Sequence, residues 1–87
     1  MKAVITVIGK DMVGILAKVS GTCADVSANV AEVTQSVLQD YFAMIMIVDI
    51  QNMTCSLDEL KEKLDANVPD MQIHVMHEDI FNSMHRI

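Results

Sequence analysis

The stretch Gly9-Lys10-Asp11-Met12-Val13-Gly14-Ile15 sets two glycines around an acidic residue, where one hydrophobic rhythm gives way to another. Three roles are open to such a loop. A phosphate cradle needs the Gly-x4-Gly spacing that Gly9 and Gly14 have, but followed by Lys and Ser or Thr. Ile15 and Leu16 follow instead, so the phosphate-reaching lysine and the magnesium-binding hydroxyl are missing. The dinucleotide pattern G-x-G-x-x-G also fails, and Asp11 in mid-loop repels an anion. A zwitterion such as an amino acid fits the residue types better. Its ammonium takes a carboxylate, offered by Asp11, and its carboxylate takes N–H donors, offered by a helix start at Val13, Gly14 and Ile15. The third role is a turn alone, with Asp11 as the helix N-cap using some of those same donors. Spacing leaves the second and third roles open.

Other reactive side chains do not gather into sites. His74, His77 and Glu78 suggest a metal cluster, but strand residues three apart point to opposite faces, so the two rings diverge. Cys23 and Cys55 have neither CxxC spacing nor a framework count, and read as two thiols in a reducing compartment, with a disulfide between them as the alternative. No Ser, Cys or Lys stands in a recognisable nucleophile setting. No catalytic residue, metal site or cofactor is expected.

The elements that must position the loop are legible in the apolar pattern. Ala3 to Ile8 is β-branched at nearly every position, as in a strand covered on both faces. After Gly14, Ile15, Val19, Cys23 and Val26 fall on one helical stripe, and Ala17, Gly21, Ala24 and Ala28 on a second stripe of small side chains that permits close backbone approach. This helix is expected to end near Ala28-Asn29. Val30 to Leu38 reads as a half-exposed edge strand, Gln39-Asp40-Tyr41 as a turn, and Phe42 to Ile50 as a second central strand, apolar on both parities. Ser56-Leu57-Asp58-Glu59 is a capping box with Cys55 and Leu60 placed as a hydrophobic staple. Leu57, Leu60 and Leu64 line that helix, Pro69 ends it, and an i,i+4 pair such as Glu59–Lys63 belongs to its solvated face. Met71 to His77 is the last strand. Ile80, Phe81, Met84 and Ile87 give a short amphipathic tail.

The order β-α-β-β-α-β predicts an α+β, ferredoxin-like sandwich: a four-stranded antiparallel sheet with the first and third strands inside and helices on one face. Residues 1–77 form the domain, and residues 78–87 a tail packing on it or on a partner subunit. The second sheet face then carries one parity of the first and third strands into an interaction surface, so dimerisation through the sheet, edge to edge or face to face, is expected.

Composition narrows the function classes. The chain has 87 residues, one domain by length, and buries roughly 60–65% of its unfolded surface. Hydrophobic residues are 52% and aromatics 3%, so the core is aliphatic and thioether, with eight Met. The net charge of −6 and six scattered cations argue against direct nucleic-acid binding. The longest apolar run, Tyr41 to Val48, is too short to span a bilayer, and Ala3 to Ile8 is too short for a signal-peptide core. A cytoplasmic protein without membrane contact is expected.

With these residues in view, "VIGKDMVGILAKVSG" followed by "ANVAEVTQSVLQDYFAMIMIVDI" resembles the ACT domain, a small regulatory module attached to amino-acid biosynthetic enzymes, over residues 3–77. It is most similar to one-domain ACT proteins related to the glycine-cleavage repressor. Gly9, Asp11, Gly14 and Ile15 match the family loop, with Val13 in place of its usual proline. That replacement frees φ at Val13. The resemblance implies a ligand between this loop and Asn29-Val30, across a subunit interface. It implies ligand contacts from Asp11, Val13, Gly14, Ile15, Asn29 and Val30. The expectation is a non-catalytic regulatory module that binds a small amino acid or related metabolite as a homodimer. The alternative is a protein–protein interaction module with no metabolite, which the fold alone does not distinguish.

Overall fold

The computed structural model describes residues 1–10 and 13–84. The elements are β1 (Lys2–Gly9), α1 (Ile15–Asp25), β2 (Asn29–Leu38), β3 (Tyr41–Asp49), α2 (Leu57–Asn67), β4 (Gln72–His77) and α3 (Glu78–Met84). The strands form one sheet in the order β2-β3-β1-β4, every neighbouring pair antiparallel. This is the expected ferredoxin-like arrangement, with the two strands of double-sided apolar pattern in the middle.

Register decides which parity enters the core. Val7 stands opposite Met44 and Ile5 opposite Met46. These residues, with Ala3, Phe42, Val48 and Ile73, are buried beneath α1 and α2. The stripe Ile15, Val19, Cys23 and Val26 closes the layer from α1, and Leu60 and Leu64 from α2. Met44 and Met46 are fully buried, as a core almost without aromatics requires.

The other parity, Thr6 and Ile8 on β1 and Ile45 and Ile47 on β3, forms the second face, where Ile8 is 45% and Ile45 39% exposed. Val4 shares that face yet is buried, at the part of the sheet where α3 packs on β1 and β4. Phe81 is half-buried there, and Ile80 is exposed within the single chain. Ile87 lies outside the described residues.

Three boundaries differ from the sequence expectation. α1 stops at Asp25 rather than near Ala28-Asn29. Ser27 takes the left-handed conformation (φ 61°), its N–H donates to the Ala24 carbonyl, and the Ala28 N–H donates to the Cys23 carbonyl. That is a Schellman stop with serine where glycine is usual. Tyr41 belongs to β3, paired with Leu38 across the two-residue turn Gln39-Asp40, and Gln39 has the positive φ (55°) such hairpins demand. At the start of α1 the N-cap position is Gly14, left-handed at φ 73°, rather than Asp11, which lies outside the described residues.

The α2 start is as expected. Ser56 Oγ accepts from the Glu59 N–H at 3.1 Å and the Ser56 N–H donates to Glu59 Oε1 at 3.5 Å. With Glu59 engaged there, the ion pair on the exposed face is Lys61–Asp65 at 2.6 Å rather than Glu59–Lys63.

β2 is more exposed than expected of a half-covered edge. Val33 and Val37 lie opposite the core residues Met46 and Phe42, yet both are exposed, because the helical layer stops short of them. A bulge at Ala31 interrupts the pairing between Val30 and Glu32.

Two substitutions test these helix ends. Ser27→Gly removes left-handed strain of about 1–2 kcal/mol but adds unfolded-state entropy of about 0.5–1 kcal/mol, so denaturant titration should show a net gain. Ser56→Ala should cost about 0.5–2 kcal/mol in the same assay, through loss of the capping box.

Candidate functional site

The two glycines of the loop do different structural work. Met71 packs against Gly9, and a Cβ there would push the flexible Met71 thioether aside. Gly14 is needed for its left-handed φ, with nothing within 4 Å of where its Cβ would stand. α1 then starts with the Lys18 N–H donating to the Gly14 carbonyl at 3.0 Å. Gly14 brings no side-chain cap, so the first-turn donors of α1 receive none from their own N-cap residue.

Of the expected site residues, Val13 is 80% exposed at the surface of the loop. Ile15 is buried in the core, so only its backbone faces the loop. Val13 and Ile15, with Lys18 and residues 68–71, line a recess of about 60 Å³, too small for an amino acid. Asn29 is exposed and Val30 half-buried at the start of β2, in a shallow hollow of about 380 Å³ with Ser20, Ala24, Ser27 and Ala28.

The loop and Asn29-Val30 do not meet within one protomer. The loop follows Gly9, which pairs with Phe42; Asn29 pairs with Asp49, which faces Lys2 at the other end of β1. The seven steps of β1 span roughly 23 Å. The small stripe of α1 is likewise unmatched: Ala17, Gly21 and Ala24 are exposed, and a Cβ on Gly21 would meet nothing. The close approach it permits is not made inside the chain.

The remaining reactive groups are accounted for structurally. Cys23 is fully buried, and burial pushes its thiol up to about 11, which makes it unreactive near neutrality. His74 lies opposite Thr6 on the open face and His77 opposite Ala3 on the core face, so the rings diverge as expected. His77 Nδ1 accepts from the Asp79 N–H at 3.2 Å, a cap for α3. Among the described residues no three His, Cys, Asp or Glu side chains could hold a metal ion. No helix among them is long and apolar enough to cross a membrane.

Residues 2–78 match the family model of the ACT domain. The chain belongs to the ACT domain family. A UPF0237 protein of Clostridium perfringens is 48% identical over 89 residues, covering all of both chains. The ACT domain protein from Streptococcus pneumoniae superposes with a TM-score of 0.79 at 34% identity, over 98% of each chain. The regulatory subunit of aspartate kinase from Thermus thermophilus shares the ACT fold, with a TM-score of 0.62 at 24% identity over 85% of this chain and 49% of that one.

One feature of this ACT domain has no signal in linear order. A hollow of about 510 Å³ is lined by Ile8, Gly9, Lys10, Tyr41, Asp70 and Gln72, drawn from three strand ends and the α2–β4 connection. Only the strand register brings those residues together.

Gly14→Ala should cost about 1–2 kcal/mol in thermal or denaturant unfolding, a purely conformational loss because the added methyl meets nothing. The raised Cys23 pKa has a definite sign. The folded state holds the thiol proton more tightly than the unfolded chain, so this stability is complete below pH 9 and is lost as pH rises to about 11. Stability curves over that range should fall less steeply for Cys23→Ala than for the parent protein.

Proposed function

We propose that this chain is a non-catalytic regulatory module that binds a small amino acid or related metabolite as a homodimer. ACT domains as a class are regulatory, ligand-binding modules, and the Thermus thermophilus neighbour is itself a regulatory subunit. The observation that carries the proposal is the separation of the two half-sites along a sheet whose β2 edge is free. A two-fold axis normal to the sheet at that edge pairs β2 antiparallel with its copy. It sets the Asn29 end of one protomer beside the Leu38 end of the other, and the Gly9–Gly14 loop lies at that second end. Ser20 and Ala24, which share the hollow beside Asn29 and Val30, then lie toward the partner, whereas Ala17 and Gly21 border a hollow with Asn67 of α2.

In this reading Asp11 takes the ligand ammonium. The backbone N–H groups of Val13, Gly14 and Ile15 take its carboxylate, and Asn29 and Val30 of the partner subunit close the pocket. No residue is assigned a catalytic step.

A second reading, an interaction module with no metabolite, draws on the apolar tip of the β2–β3 hairpin. Val37, Leu38 and Tyr41 are 54%, 71% and 52% exposed there.

A thermal-shift screen against the common amino acids separates the two. A ligand at a hundredfold excess over its Kd stabilises by about 2.7 kcal/mol. Asp11→Ala and Asn29→Ala should each reduce that shift while the ligand-free protein stays folded. A flat response to every candidate favours the interaction module. An undiminished shift in Asn29→Ala removes that residue from the site.

A further inference from the structure

The hollow at the open-face end of β1 adjoins the loop through Gly9 and Lys10, includes none of Val13, Gly14, Ile15, Asn29 or Val30, and draws its whole lining from one chain. Ile8 and Gln72 are cross-strand neighbours on that face, and Tyr41 shares its parity on β3. Ile8, 45% exposed, and the Tyr41 ring give the hollow an apolar floor and wall. Two opposite charges line the same space. The Lys10 ammonium sits 5.6 Å from the centroid of the Tyr41 ring, held at the rim by cation–π attraction. The Asp70 carboxylate comes from the connection after Pro69. Among the described residues neither is ion-paired, with the other or with a third group. A cavity of about 510 Å³ is in the size range of small-molecule sites.

Opposite charges that share a cavity without touching leave a gap, and a ligand carrying both complementary charges fills it. A simple anion satisfies Lys10 and meets repulsion from Asp70; a simple cation does the reverse. We propose that this hollow binds a small zwitterion with an apolar side chain, its carboxylate on Lys10, its ammonium on Asp70 and its side chain on Ile8 and Tyr41. Gln72 supplies a neutral donor and acceptor beside them. A free α-amino acid and a dipeptide share this chemistry.

The test is a nuclear magnetic resonance titration of the intact 15N-labelled protein. The probes are L-leucine, L-leucyl-L-leucine and two singly charged analogues, isoamylamine and 4-methylpentanoate. Saturable shifts are expected at the amides of Ile8, Tyr41 and Gln72, with the stronger of the two zwitterions identifying the source. Each analogue should bind more weakly by about tenfold or more, the loss of one charge contact. Lys10→Met and Asp70→Asn should weaken zwitterion binding to a similar degree, and Lys10→Arg should retain it. Both residues are exposed, so these variants keep the fold. The inference is overturned by analogues that bind as tightly as the zwitterions, or by variants that bind unchanged. It is equally overturned by shifts confined to Gly14, Asn29 and Val30, or by no saturable shift with any probe.

Discussion

The antiparallel pairing of β1 with β3 is the constraint on which the rest of this molecule depends. Both strands are apolar on both parities, so neither alone says which face belongs to the core. Their register, with Ile5 opposite Met46 and Val7 opposite Met44, sends one set under the helices and leaves Ile8, Ile45 and Ile47 on the other face. At roughly 25 cal/mol per Å² of apolar area, burial of the first set is the largest favourable contribution available to so small a chain. The same register puts the glycine loop at one end of the sheet and Asn29 at the other. It therefore gives a core and an open face together, and sets the two parts of the proposed site apart.

What was legible in the sequence follows from how local each determinant is. The α2 start lies within four residues, Ser56 to Glu59, and the structure forms both bonds of its capping box. The buried stripe of α1 is a simple period, and each of its members is in the core. The α1 stop is hidden in the sequence because Ser27 stands where glycine normally marks a left-handed residue, and Ala28 continues an apparent helical stripe beyond it. The extent to which β2 is exposed is equally hidden, since strand composition does not reveal where a helical layer ends.

The site was legible in a different manner. The two glycines signal a special loop, yet Gly9 sits against the flexible Met71 thioether and Gly14 answers to backbone conformation, and neither reason names a ligand. The association of that loop with Asn29-Val30 came from resemblance to the ACT domain, and the geometry assigns the two halves to opposite ends of a protomer. The hollow at Lys10, Tyr41, Asp70 and Gln72 left no linear trace, because those residues are neighbours only through the sheet. The β2 edge is free within one chain, and of the small residues of α1 it is Ala24 that shares a hollow with Asn29 and Val30 beside it.

The central claim is that β2 pairs with its copy in a second chain. The most direct measurement is amide hydrogen exchange along β2 in the intact protein at micromolar concentration. The alternate N–H groups of Asn29–Leu38 that point away from β3 should be protected as strongly as those that point toward it, and should lose protection on dilution. Rapid exchange of those outward groups at every concentration, beside slow exchange of the inward ones, would describe a free edge and contradict the two-fold site.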